Sequence, residues 1–301
     1  RFKQCLYARK FHAVVVRREL LMFNDYGNLF MDKFLLKIHQ NVILDFDDDI
    51  AASKQQPRGI KSFYGKILQE NGNKFNDSLR LYKRFIVGSK YLKERVLQEN
   101  KTISEHNILI IPTCVDYDTF APKEYNSKNN EIVFGWIGGN HNLHYLKMLI
   151  EPLNKIFEEQ KIKLVVSAGK IYTNDKAKFS IENKKWSLAT EKDIIRSFDI
   201  GLMPIEDNSV GKGKCGFKLL QYMGLGVVSI ATNVSINSEI IEHGKNSFLV
   251  NNDNSNWYEI LKFAINQKTY FSKIGNLAKQ TVKERYSFTS NKDKIIKYLT
   301  I

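Results

Sequence analysis

The chain has only three cysteines in 301 residues. Cys5, Cys114 and Cys215 are odd in number and widely spaced, which excludes a disulfide framework and a cysteine-built zinc site and fits a reducing cytoplasm. No apolar run approaches the roughly 20 residues needed to cross a bilayer, and no secretory signal opens the chain. Internal repeats and low-complexity tracts are missing, although Asn and Lys are frequent. The signatures of nucleic-acid modules are missing too. The first residue is Arg1 rather than Met, and the opening segment already reads as the interior of a domain. A truncated N-terminal domain is therefore expected.

What is present describes a large, basic, globular chain. Hydrophobic residues make up 43% and charged residues 26%, enough to bury a sizeable core and, at this length, enough for two domains. The net charge is +14. Such a charge suits nucleic acid, an anionic membrane surface or a polyanionic ligand. Lysine is scattered along the chain rather than gathered in one arm, which favours a membrane surface or phosphorylated ligands over specific nucleic-acid binding.

Short β-branched runs alternate with helical patterns. Strands are predicted at His12–Val16, Asn41–Phe46, Arg84–Val87 and Ile108–Ile111, with helices near Leu29–His39, Ser62–Glu70 and Tyr91–Gln98. This order implies a parallel sheet covered on both faces. Residues 121–130 are polar and aperiodic and read as an interdomain linker. Alternation then resumes with strands at Ile132–Ile137, Lys163–Val166, Asp199–Pro204, Val227–Ala231 and Ser247–Val250. Helices are expected over Leu143–Phe157, Trp257–Ile265 and Tyr270–Tyr286. Two α/β domains, 1–121 and 131–286, would leave a ligand-binding cleft at their junction, with a last helix, 287–301, packing back on the first.

The stretch from Gly211 to Gly224 carries the most chemistry. Gly211-Lys212-Gly213-Lys214-Cys215-Gly216 is a glycine-lysine loop that opens into the apolar helix Phe217-Lys218-Leu219-Leu220-Gln221-Tyr222-Met223. A helix start offers unpaired N–H groups and the positive end of the macrodipole. Glycines admit a phosphate to the backbone and lysines add charge. Solvated turns have the same composition, so the loop by itself is compatible with either role.

Several motifs in register resemble the family 4 glycosyltransferases, which are retaining enzymes. Asp199–Pro204, Gly213–Met223 and Glu239–Val250 resemble that family's C-terminal domain, and Gly135-Trp136-Ile137-Gly138-Gly139-Asn140 resembles its first loop. Leu44–Ile50 and Ile111–Asp116 are similar to patterns in one branch. The resemblance implies an α/β chain of the GT-B fold, two Rossmann-like domains with a cleft between them. It implies an EC 2.4 enzyme moving a sugar from a nucleoside diphosphate sugar to an acceptor with retention, with no cofactor and no metal. The family's two signature glutamates, eight positions apart, fall here on Gly213 and Gln221. Their loss motivates the alternative, a non-catalytic nucleotide-sugar-binding or scaffold protein.

For catalysis the residues singled out are Asp48, Asp49 and Lys218. For donor binding they are Gly138, Gly139, Asn140, Lys214, Gly216, Phe217, Gln221 and Glu239. The departing diphosphate gains charge, and backbone N–H groups with Lys214 and Lys218 would stabilise it. Gln221 offers an amide to a ribose hydroxyl. Glu239 reads as starting a helix, where the dipole also favours a carboxylate. The run Asp45-Phe46-Asp47-Asp48-Asp49 ends a strand, where α/β sites gather; a divalent-metal role and a helix cap are the competing readings. His141 and His144 lack further ligands at metal spacing, Trp136 reads as core, and Cys215 reads as packing. The basic balance suggests a glycolipid or lipid-linked acceptor in bacterial surface polysaccharide assembly, and a cytoplasmic protein peripheral on the inner membrane face. Lys61–Ile67 and Arg80–Phe85 are candidate headgroup contacts, with ordinary amphipathic packing as the plainer alternative.

Overall fold

The computed structural model describes residues 1–20, 28–49, 73–125, 130–251 and 254–300. The predicted helix at Ser62–Glu70 and the basic-aromatic stretch Lys61–Ile67 lie outside those residues. The chain divides into two compact units. One comprises Arg1–Thr113, Lys212–Cys215 and Asn291–Ile301; the other comprises Cys114–Gly211 and Gly216–Ser290. The first segment of the first unit thus runs to Thr113 rather than to the expected 121. Residues 121–125, expected as linker, are strapped to the second unit. Lys123 N–H donates to Leu225 O at 2.7 Å, its ammonium donates to Arg196 O at 3.0 Å, and Tyr125 Oη accepts from Val228 N at 2.9 Å.

The first unit is built on β1 (Val14–Arg17), β2 (Val42–Phe46), β3 (Arg84–Val87) and β4 (Ile108–Ile110), in that spatial order and all parallel. Val42, Ile43, Leu44 and Phe46 are buried, as a strand covered on both faces requires. β1 sits at the edge and leaves Val15 45% exposed, so the strand predicted as buried is only half so. Helices Phe30–Ile38, Lys74–Leu81 and Lys90–Glu99 cover the sheet. The helix Phe288–Leu299 returns to this unit, where Tyr298 packs with Ile43 and Ile86 and Asn41 Nδ2 donates to Leu299 O at 3.2 Å. Tyr82 and Phe85 are fully buried, and Arg80 and Arg84 are paired. Arg80–Phe85 is therefore amphipathic, with Tyr82 and Phe85 in the core and Arg80 and Lys83 exposed.

The second unit is a six-stranded parallel sheet in the order β10-β9-β8-β5-β6-β7. The strands are β5 (Ile132–Ile137), β6 (Ile162–Ala168), β7 (Ser180–Lys185), β8 (Ile200–Met203), β9 (Val228–Thr232) and β10 (Phe248–Val250). Side chains of β5 alternate between the two faces. Ile132, Phe134 and Trp136 join one core with Leu153 and Trp257, while Val133 and Ile137 join the other with Phe198, Leu219 and Tyr222. The predicted helix over Leu143–Phe157 divides into a 3₁₀ segment, Asn140–Leu149, and an α-helix, Ile150–Glu159. Pro152 lies in the first turn of that α-helix, where its missing N–H costs nothing. β7 escapes the sequence reading because it is a polar edge strand, SIENKK, with no apolar run.

Candidate nucleotide-sugar site

β5 leads in sequence to β6 and β7 on one side of the sheet, whereas β8, β9 and β10 extend the other side. The strand order reverses between β5 and β8, and ligands of open α/β sheets bind outside the carboxyl ends at such a switch point. Gly138 and Gly139 follow β5 there, ahead of the 3₁₀ segment. Across the switch, helix Phe217–Gly224 is held by Tyr222. Its ring fills the space beside Gly201 of β8, where an added Cβ would lie 2.6 Å from the ring. Its hydroxyl accepts from Ile137 N at 3.0 Å. Burial pushes the Tyr222 phenol well up, so it stays neutral.

This anchoring brings Lys218 to Gly138. A Cβ on Gly138 would lie 2.6 Å from Lys218 Cε and 2.9 Å from its Nζ. The ammonium sits 4.6 Å from the centroid of the buried Trp136 ring, a cation–π contact. Gly216 caps the helix with φ +71°, and a Cβ there would lie 2.6 Å from Ile240 Cδ1. Only glycine meets both demands. Phe217 is 43% exposed beside it. The His141 ring folds over Gly139, and Asn140 lies against Gly169. His144 Nδ1 pairs with His141 O at 2.8 Å.

Gln221 stands one turn beyond Lys218, and its Nε2 donates to Glu191 Oε1. Glu191 begins the helix Glu191–Arg196 and accepts also from Trp186 Nε1 at 2.5 Å. The sequence reading overlooked Glu191 and Trp186, which follow the polar edge strand. Glu239 is the fourth residue of the five-residue helix Ile236–Ile240, not its start. Its carbonyl accepts from Arg285 at 2.9 Å and from the Tyr286 hydroxyl at 3.3 Å. Before that helix, Ser235 takes φ 47° and ψ −122°. The bond from Asn237 N to Val234 O, 3.1 Å, closes the turn around it. A φ of this kind normally belongs to glycine, and no motif marked it. The Ser235 hydroxyl is buried with no partner among the described residues.

In the first unit, the Asp run at the end of β2 is clasped by two arginines that sequence reading missed. Arg17 bonds Asp45 and Asp47, each at 2.7 Å, and Arg18 bonds Asp47 at 3.0 Å and Asp48 at 3.2 Å. Arg18 itself has φ 61°. Burial pushes the Asp48 carboxyl above its usual range and Asp47 adds to the rise, while Arg18, Lys214 and a bond from the Cys215 thiol oppose it. Asp48 and Lys214 are thus neighbours. Asp49 turns away. Its buried carboxylate lies 3.5 Å from Arg95 Nε, and its N–H donates to Gly213 O at 3.1 Å. A Cβ on Gly213 would lie 2.6 Å from the Cβ of Asp49, so this position has no room for a glutamate.

No curated protein sequence matches the chain. Among solved structures, a glycosyltransferase from Rickettsia africae ESF-5 superposes with a TM-score of 0.71 at 15% identity, over 99% of this chain and 79% of that one. Anabaena HepE in complex with UDP and glucose gives 0.70 at 13%, over 99% and 80%. Sucrose-phosphate synthase from Thermosynechococcus elongatus gives 0.71 at 12%, over 98% and 75%. The chain therefore has the GT-B fold of these enzymes, and its residues 131–266 match the family Glycosyl transferases group 1.

Proposed function

We propose that the protein is a retaining, metal-independent glycosyltransferase that moves a sugar from a nucleoside diphosphate sugar to an acceptor. The observation that carries this reading is the Lys218 ammonium lying across Gly138 at the carboxyl end of β5, next to a helix start that only glycine can cap. The cleaving bond joins the anomeric carbon to the diphosphate, which collects negative charge as it leaves. Lys218 and the N–H groups at Gly216 and Phe217 meet that charge without reorganising. Gly138, Gly139 and Asn140 line the opposite wall, Gln221 takes the ribose, and Glu239 lies near the sugar. The departing phosphate takes the acceptor proton on the same face, which retains configuration. In the first unit, Asp48, with Lys214 beside it, meets acceptor or sugar hydroxyls, and the buried, arginine-paired Asp49 supports that loop. Cations from the chain supply the charge that a metal would otherwise supply.

Two structural neighbours, HepE and TarM, are described in complexes with UDP, and a starch synthase IV catalytic domain with ADP, which supports a nucleotide donor. The charge of +14 supports a lipid-linked or glycolipid acceptor on an anionic inner membrane face, as bacterial surface polysaccharide assembly requires. Among the described residues no helix is long and apolar enough to cross a membrane. Thermal shift with UDP-, GDP-, ADP- and dTDP-sugars tests the donor. A cognate sugar at a hundredfold excess over its Kd stabilises by about 2.7 kcal/mol. A panel without any shift refutes the reading. The second reading, a non-catalytic nucleotide-sugar binder, is favoured by the missing glutamates at Gly213 and Gln221. It predicts the same shift with neither donor hydrolysis nor transfer.

A further inference from the structure

The Gln221–Glu191–Trp186 cluster belongs to none of the steps above beyond the Gln221 amide. Each Glu191 oxygen holds one donor: Oε1 takes Gln221 Nε2, and Oε2 takes the indole N–H of Trp186 at 2.5 Å. Two donors on two oxygens fix the plane of the carboxylate. A carboxylate only accepts, so the Gln221 amide must turn its nitrogen toward Glu191 and its carbonyl oxygen away. Gln221 is 6% exposed, while Trp186 is 45% exposed immediately after β7. The cluster therefore presents oxygen acceptors between a buried amide and a half-exposed indole.

We propose that Glu191 is a positioning residue which, by holding the Gln221 amide, makes this spot selective for the ribose diol of a nucleoside diphosphate. The inference rests on the donor-binding reading above. Lys218 and Gln221 are three residues apart on one helix face, about 5–6 Å between Cβ atoms. A diphosphate held at Lys218 carries its ribose directly on the nearer phosphate, within reach of the next turn. An array of acceptors repels phosphate oxygens and favours hydroxyl donors, so it sorts the two halves of the ligand. A 2′-deoxyribose would bury an acceptor without a donor, the costly side of the hydrogen-bond asymmetry.

Isothermal titration of the full chain with UDP, ADP and their 2′-deoxy forms tests this. The wild type is expected to favour the ribonucleotide about tenfold. Glu191→Gln frees the Gln221 amide to flip and is expected to erase that preference, with deoxynucleotide affinity changed by less than about twofold. The double variant Glu191→Gln with Gln221→Glu restores one donor facing one carboxylate and is expected to recover the preference, which a merely structural role would not do. A wild type without preference, a preference that survives Glu191→Gln, or a swap that fails to recover it overturns the inference alone. A wild type that binds neither ribonucleotide overturns the donor reading, and the inference with it.

Discussion

Ser235→Gly should make the protein more stable. The serine holds φ 47° and ψ −122°, the first central position of a turn closed by Asn237 N to Val234 O. Strain of this kind in a residue with a Cβ costs on the order of 1–3 kcal/mol. Glycine removes it but returns about 0.5–1 kcal/mol through its freer unfolded chain. Loss of the buried hydroxyl, which has no partner among the described residues, adds about 1 kcal/mol in favour of the variant. The net gain is about 1–3 kcal/mol. At about 2–4 °C per kcal/mol for a unit of this size, the melting temperature rises by several degrees. Scanning calorimetry of wild type, Ser235→Gly and Ser235→Ala separates the two contributions, because alanine removes the hydroxyl and keeps the strain. A glycine variant that melts at or below wild type, or no higher than the alanine variant, refutes the argument. If the turn also shapes the sugar site, the stabilised variant will transfer more slowly.

Gly216→Ala should cost about 2–4 kcal/mol in urea unfolding, since it combines a φ of +71° with a 2.6 Å approach to Ile240. Lys218→Met keeps the stalk on Trp136 and removes the charge; nucleoside diphosphate affinity by titration calorimetry should fall about 10- to 100-fold. Asp32 is buried with Tyr82 Oη donating to its Oδ1 at 2.6 Å and with Oδ2 lacking a protein partner among the described residues. Burial raises its pKa against the opposing Tyr82 bond and Lys74. The fold therefore binds this proton more tightly than the unfolded chain, and wild-type stability falls as pH rises from the ordinary carboxylate value through the raised one. Asp32→Asn lacks that fall. Its melting temperature should exceed wild type near neutral pH, and the gap should close as pH drops through that window.

The strands were the most legible part of the molecule. Val42-Ile43-Leu44 and Ile132–Ile137 are continuous apolar runs, and burial on both faces leaves such runs little choice. The glycine-lysine loop pointed to Lys218 because a positive side chain in the first turn of an apolar helix has a physical signature. Gly138, which Lys218 lies against, was legible for a different reason, as a glycine immediately after a strand. Tertiary pairings were not legible. Nothing local ties Arg17 and Arg18 to the aspartates 28 to 30 positions later, or Glu191 to a glutamine 30 residues on. The edge strand Ser180–Lys185 is polar because one side of it meets solvent, and so it hid the Trp186–Glu191 segment. Ser235 shows the limit from the other side, since a strained backbone leaves no trace in composition when the residue is not glycine.

The last helix also bears on the order of folding during synthesis. Tyr298 Oη donates to Asn107 O at 2.5 Å, and Arg84 donates to Tyr298 O. Residues translated 191 and 214 positions apart thus complete one sheet surface. A ribosome will have released all of Cys114–Gly211 and Gly216–Ser290 before the earlier-made lobe receives its covering segment. The usual vectorial sequence, first domain made and first domain finished, is inverted here, and until the tail emerges the apolar surface around Ile43 and Ile86 is open to chaperones.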